Sequence, residues 1–148
     1  MNRDSIIREQ GFIGEQIVRI CLELNGHTVI ISEDRFDQDK DMTIDNETAE
    51  IKTFGRWFKY NSFALEKSDW RKWDNADRRF FVEVPYKNRD DAIHVWECID
   101  HKKYETIDSI QDKRMYNIDH LHLYDTVVNL QLSNRLFDLS PSKWKGKL

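Results

Sequence analysis

The stretch Asp41-Met-Thr-Ile-Asp-Asn-Glu-Thr-Ala-Glu-Ile-Lys52 switches polarity at every second residue on both sides of a short polar break. Met42 and Ile44 alternate with Asp41, Thr43 and Asp45, and Ala49 and Ile51 alternate with Glu50 and Lys52. Period-two alternation marks a strand that buries one face. Asn46-Glu47 is placed to turn the chain, since Asn tolerates positive φ. A two-residue loop there pairs Ile44 with Ala49, Met42 with Ile51, Thr43 with Glu50 and Asp41 with Lys52. Cross-strand partners share a face. The apolar side chains therefore collect on one side and Asp41, Glu50 and Lys52 on the other, a segregation that a one-residue slip would destroy.

Those three groups have a chemistry in common. Mg²⁺ takes oxygen ligands and keeps several waters. Asp41 and Glu50 supply two carboxylates, and phosphate oxygens and water can fill the remaining positions. A metal so held polarises a phosphoryl oxygen and lowers the pKa of a bound water. Lys52 would stabilise the developing charge or orient the nucleophile. In a chain that is 34% charged, the same spacing also suits a solvated polar strand face.

Upstream, Asp4-Ser5 is placed to start a helix that runs to Leu24, with Ile6, Ile13, Ile17, Ile20 and Leu24 at helical spacing. Asn25-Gly26 is a C-terminal stop. Two glycines inside this helix, Gly11 and Gly14, cost about 1 kcal/mol each relative to alanine. Gly11 lies one turn before Glu15, where a missing side chain permits close approach, either for helix-to-sheet packing or to clear space for DNA with Glu15 pointing at the acidic site. His27–Ser32 reads as a strand.

This order, a helix with Gly-x3-Glu, a strand, then a D…E-x-K hairpin, resembles the PD-(D/E)xK nuclease superfamily, most closely its archaeal-type Holliday-junction resolvases. The resemblance covers roughly residues 8–85. It implies that Asp41 and Glu50 are metal ligands, that Lys52 is the catalytic lysine, and that Glu15 is a further acid at the metal. It also implies a hydroxyl residue after the first strand, for which Ser32 is the candidate. Lys40 departs from the pattern, standing where proline is common.

The remaining chain sets bounds. At 148 residues it fits one domain, with a core over about 4–100 and an extension over 101–148. The absence of a signal peptide or long apolar run points to an intracellular protein, cytoplasmic or nucleoid-associated, with no membrane role. Two cysteines, Cys21 and Cys98, indicate neither a disulfide framework nor a zinc site. The net charge of −4 is unusual for a DNA-binding chain, but its distribution matters more than its sum. Arg56, Lys59, Lys67, Arg71 and Lys72 cluster between residues 54 and 73 and are candidates for phosphate contact. Trp57, Phe58, Tyr60, Phe63, Trp70 and Trp73 interleave with them, as base-stacking platforms or as core.

Ser68 can cap a short helix ending near Ala76. Arg79–Val84 and Ala92–Ile99 read as interior strands, and 101–120 as mostly polar loop. His120 and His122 sit on one face of a further strand, as a metal pair or, without a third ligand, a plain polar face. Val128, Leu130 and Leu132 alternate as if in a terminal hairpin. The tail Lys143–Lys147 could reach along a DNA backbone or be frayed.

The expectation is an α/β domain with a restriction-endonuclease-like core: a mixed central sheet flanked by the first helix and the helix near residue 70. It would be a Mg²⁺-dependent DNA endonuclease, with Mn²⁺ able to substitute, acting on branched DNA as a homodimer whose two-fold symmetry matches a four-way junction. Restriction-type, repair or flap nucleases are alternatives within the class. A non-catalytic nucleic-acid-binding domain, or a structural protein with a solvated hairpin face, is the alternative outside it.

Overall fold

A computed structural model describes residues 3–31, 42–57, 59–85 and 92–139. Ser32, Lys40, Asp41, Phe58 and the tail from residue 140 lie outside the described residues. Helix α1 (Arg3–Leu24) is followed by strands β1 (Val29–Ile31), β2 (Met42–Ile44), β3 (Glu47–Phe54) and β4 (Ser62–Glu66). A 3-10 turn (Lys67–Asp69) runs straight into α2 (Trp70–Asn75). Then come β5 (Arg78–Glu83), β6 (Ile93–Glu97), α3 (His101–Tyr104), β7 (Thr106–Asp108), β8 (Lys113–Asn117), β9 (His122–Val127) and α4 (Leu130–Asp138).

The central sheet has the order β1-β2-β3-β5-β6-β9 and is mixed, since β3 and β5 run parallel while the other neighbours are antiparallel. A parallel neighbour requires a crossover connection, and here the crossover carries β4, the 3-10 turn and α2. Strand β4 joins β8 and β7 in a second, three-stranded sheet. Alternation along β3 builds two cores. Ala49 and Ile51 meet Ile13, Ile17, Val18, Cys21 and Leu22 of α1 and Leu136 of α4. Phe54, on the other face, joins Phe63, Leu65, Trp73, Phe81 and Tyr116 under the second sheet and α2.

Several expectations change in detail. The hairpin turn is Asp45-Asn46, both at positive φ (48° and 72°), as a tight two-residue turn demands. Met42 therefore faces Ala49, and Thr43 faces Thr48. The register is offset by two residues from the sequence reading, an even shift that keeps Met42, Ile44, Ala49 and Ile51 on one face and Glu50 and Lys52 on the other. Asp45 fixes this turn: its carboxylate accepts from the Thr28 backbone N–H at 2.8 Å and sits 2.6 Å from the His27 ring.

The α1 glycine that permits close approach is Gly14, whose missing Cβ would overlap the Thr53 hydroxyl on β3, whereas nothing lies within 4 Å of a Cβ at Gly11. Ile20 and Leu24, read as part of the buried stripe, are exposed. Ser68 caps nothing by its side chain; it lies inside the 3-10 turn. Residues 101–120 contain α3, β7 and β8 rather than mostly loop. The expected terminal hairpin is a helix, α4, with the Asn129 side chain accepting from Leu132 N–H as its N-cap. His120 is not on a strand; it lies in a 3-10 turn with its ring stacked 4.4 Å from that of Tyr104.

Candidate active site

Glu50 and Lys52 project from β3 to the face opposite α1, because Ile51 and Thr53 between and beyond them face the helix. Their Cα partners on β5 are Arg79 and Phe81. Glu50 is 1% exposed, a condition a carboxylate rarely meets without a compensating charge. The compensation comes from α2: Lys72 Nζ stands 3.7 Å from Glu50 Oε2. Two residues along the strand the polarity reverses, and Lys52 Nζ lies 3.1 Å from Asp69 Oδ1. Asp69 and Lys72 are three residues apart, one helical turn, so the segment entering α2 presents a carboxylate to the strand's lysine and an ammonium to its glutamate.

Arg79 holds that segment in place. It is buried beside Glu50 in the sheet, and its guanidinium donates to the carbonyls of Trp73 (2.7 Å), Asp74 (3.2 Å) and Ala76 at the C-terminal end of α2. These acceptors lie at the last turn, where helix carbonyls lack their regular partner four residues on; that of Trp73 also accepts from the Ala76 N–H. Partial burial pushes the Asp74 carboxyl up, and its hydrogen bond to Arg114 (2.6 Å) together with that charge leaves it below the usual carboxylate range. Trp73, fully buried, donates its indole N–H to the Tyr116 hydroxyl at 3.1 Å.

The other sequence candidates separate. Glu15 is half-buried on α1, one residue on from Gly14. Arg56 is committed to a buried pair with Glu83 at 3.1 Å and to Asn61, making it a packing cation. Lys67 is exposed and meets Asp112 at 3.1 Å. Lys59 and Arg71 are exposed to solvent. Of the interleaved rings, Phe63 and Trp73 are core, Trp57 and Trp70 lie under Lys113 and Arg114, and Tyr60 is half-exposed.

Sequence reading makes Lys72 only a phosphate cation and gives Asp69 no place at the site. The D-x-x-K spacing was visible, but its fit onto E-x-K depends on how the crossover returns. A surface cleft of about 350 Å³, lined among others by Asp100, Tyr104, His120 and His122, involves no residue of the hairpin or α2.

The donor chemistry suits a hard divalent cation at Glu50: a buried oxygen ligand, with an ammonium already standing as its counter-charge. Among the described residues no three His, Cys, Asp or Glu side chains gather to hold a metal. A cation bound here would be held by Glu50 and completed by water, since Mg²⁺ keeps several waters. Comparison with protein-family models, with curated proteins and with solved structures returns no match for this chain. No helix among the described residues is long and apolar enough to cross a membrane.

Proposed function

We propose that this chain is a Mg²⁺-dependent DNA endonuclease with a restriction-endonuclease-like core of the PD-(D/E)xK kind, acting on branched DNA as a homodimer. One observation carries the reading: Glu50 and Lys52 lie two residues apart on a central strand, on one face, sheltered from water and matched in charge. The helix, strand and hairpin on which the sequence resemblance rests are present in that order as α1, β1 and β2–β3.

In this reading Glu50, with Asp41, holds the ion. Bound there, the ion supplies Lewis acidity and a water of lowered pKa. Hydrolysis forms one phosphorus–oxygen bond from water and breaks the bond to the leaving sugar oxygen, which takes up a proton. The Lys52 ammonium, two residues along β3, stabilises the charge that builds on the phosphoryl oxygens. Glu15, half-buried on α1, and Ser32 are secondary candidates, as additional acid and hydroxyl. Lys59, Lys67 and Arg71 supply exposed positive charge for the DNA backbone.

The test is cleavage of labelled four-way junction, flap, single-stranded and duplex DNA, with Mg²⁺, with Mn²⁺ and with chelator, beside Glu50→Ala and Lys52→Ala. Metal-dependent cutting that both substitutions abolish is expected, with paired symmetric nicks in the junction. Equal cutting by the variants sinks the site. A second reading has its own observation. The same two ion pairs could serve only to fasten α2 onto the sheet in a non-catalytic nucleic-acid-binding domain. DNA binding with no cleavage under any metal would favour it.

A further inference from the structure

Two ion pairs link β3 to the segment entering α2, and they are crossed: Glu50 with Lys72, and Lys52 with Asp69. Asp69 and Lys72 are themselves one helical turn apart, the spacing at which a carboxylate and an ammonium pair with each other on a helix surface. Lys72 therefore has a second carboxylate at pairing distance along its own helix turn. We infer that Asp69 and Lys72 form a charge-exchange device, in which Lys72 holds the place of the divalent cation and moves to Asp69 when that cation arrives. This rests on the nuclease reading above and assigns these two residues a role in it.

The geometry limits how the exchange occurs. Trp73 is fully buried, the Trp70 indole N–H donates to the Leu65 carbonyl at 3.0 Å, and Arg79 clasps the carbonyls at the helix end. The α2 backbone is thus anchored, and the movable parts are the long Lys72 side chain, a quarter exposed, and the Asp69 carboxylate, 37% exposed. Like charges repel strongly where water is scarce, so an ammonium and a divalent cation cannot share the buried Glu50 carboxylate. As Lys72 leaves, the Asp69 carboxylate receives it beside Lys52, and a substrate phosphate, when one arrives, draws Lys52 away. Every charge has an opposite before and after, and no helix has to open. Asp69 and Lys72 are positioning residues in this scheme.

The experiment measures Mn²⁺ binding without DNA, by calorimetry at neutral pH, for the natural chain, Lys72→Met, Asp69→Asn and Glu50→Gln. Removing the competitor in Lys72→Met is expected to tighten Mn²⁺ binding at least about fivefold, the lower end of typical coupling between sites. Asp69→Asn, which removes the landing site, is expected to weaken it, and Glu50→Gln to abolish it. In the natural chain, the Lys72 ammonium proton signal, sheltered by Glu50, should lose its protection from exchange with water on titration with Mg²⁺. That measurement decides the matter even where a variant fails to fold.

An unchanged Lys72 signal at saturating Mg²⁺, or equal affinity in Lys72→Met, overturns the exchange while leaving the metal site standing. Absence of metal binding in every folded form overturns the exchange and the nuclease reading together.

Discussion

Gly14 and Thr53 meet so closely that a Cβ on Gly14 would overlap the Thr53 Oγ1 and stand 2.8 Å from its Cβ. Helix α1 thereby lies directly on the central strand that carries Glu50 and Lys52 on its far side. Gly11, three residues earlier, has no atom within 4 Å of where its Cβ would be. The two glycines therefore respond oppositely to one substitution. Gly11→Ala is expected to stabilise the protein by about 0.5–1 kcal/mol through helix propensity. Gly14→Ala is expected to destabilise it by about 1–3 kcal/mol through overpacking. Urea unfolding of both variants checks this; a stabilised Gly14→Ala would refute the contact.

Arg79 is expected to matter through α2. Arg79→Met removes donors from the carbonyls of Trp73, Asp74 and Ala76 at a buried helix end. Hydrogen bonds from a charged donor contribute about 1.5–3 kcal/mol, so a loss of roughly that size is expected. Amide exchange should rise first in residues 70–76, ahead of global unfolding. Uniform loss of protection across the chain would place the role of Arg79 elsewhere.

Acid should loosen the hairpin turn. The hydrogen bond from His27, then that from the Thr28 N–H, hold the Asp45 carboxyl below the usual carboxylate range. A depressed carboxyl stabilises the fold above its unfolded pKa, about 3.9, and that contribution is lost as pH falls through the depressed value. Asp45→Asn keeps a residue that tolerates the positive φ. It should melt below the natural chain at pH 7, and the gap should close in acid. A gap that widens in acid would reverse the assignment.

The two thiols should be inert in the folded protein. Burial first, and then Asp125, push Cys21 up to about 12; burial does the same for Cys98, also to about 12. The thiolate is the reactive form. Iodoacetamide at pH 8 is expected to modify neither until the chain unfolds. Rapid labelling of native protein would show an opening near α1 or β6.

Period-two and helical patterns made α1, the β2–β3 hairpin, β5, β6 and the short α2 legible, because each carries its signal within its own residues. The hairpin survived a misplaced turn because side-chain direction depends only on the parity of the register. What failed depended on distant partners. Both glycines sit in the helix, and choosing Gly14 required knowing that Cys21 and Leu22, not Ile20 and Leu24, turn inward. Strands β7 and β8 are short and hold their buried residues, Met115 and Tyr116, side by side rather than in alternation. At the C-terminus, Val128, Leu130 and Leu132 mimicked a strand, while Asn129 was the unused cap signal. In the candidate site, E-x-K was readable, but its counter-charges were not, since Asp69 and Lys72 reach it only through the crossover.

That crossover has a thermodynamic consequence. Asp69 and Lys72 sit on a loop whose two ends are fixed in neighbouring hydrogen-bonded strands, β3 and β5. Tethered groups compete at an effective concentration set by the chain's geometry, on the order of millimolar or above, and dilution does not lower it. A cation or phosphate entering from solution therefore meets a rival that is always present. On the proposed reading, occupancy of this face would be governed by how much charge a ligand concentrates at one point, which would favour a divalent ion or a polyanion over monovalent salt.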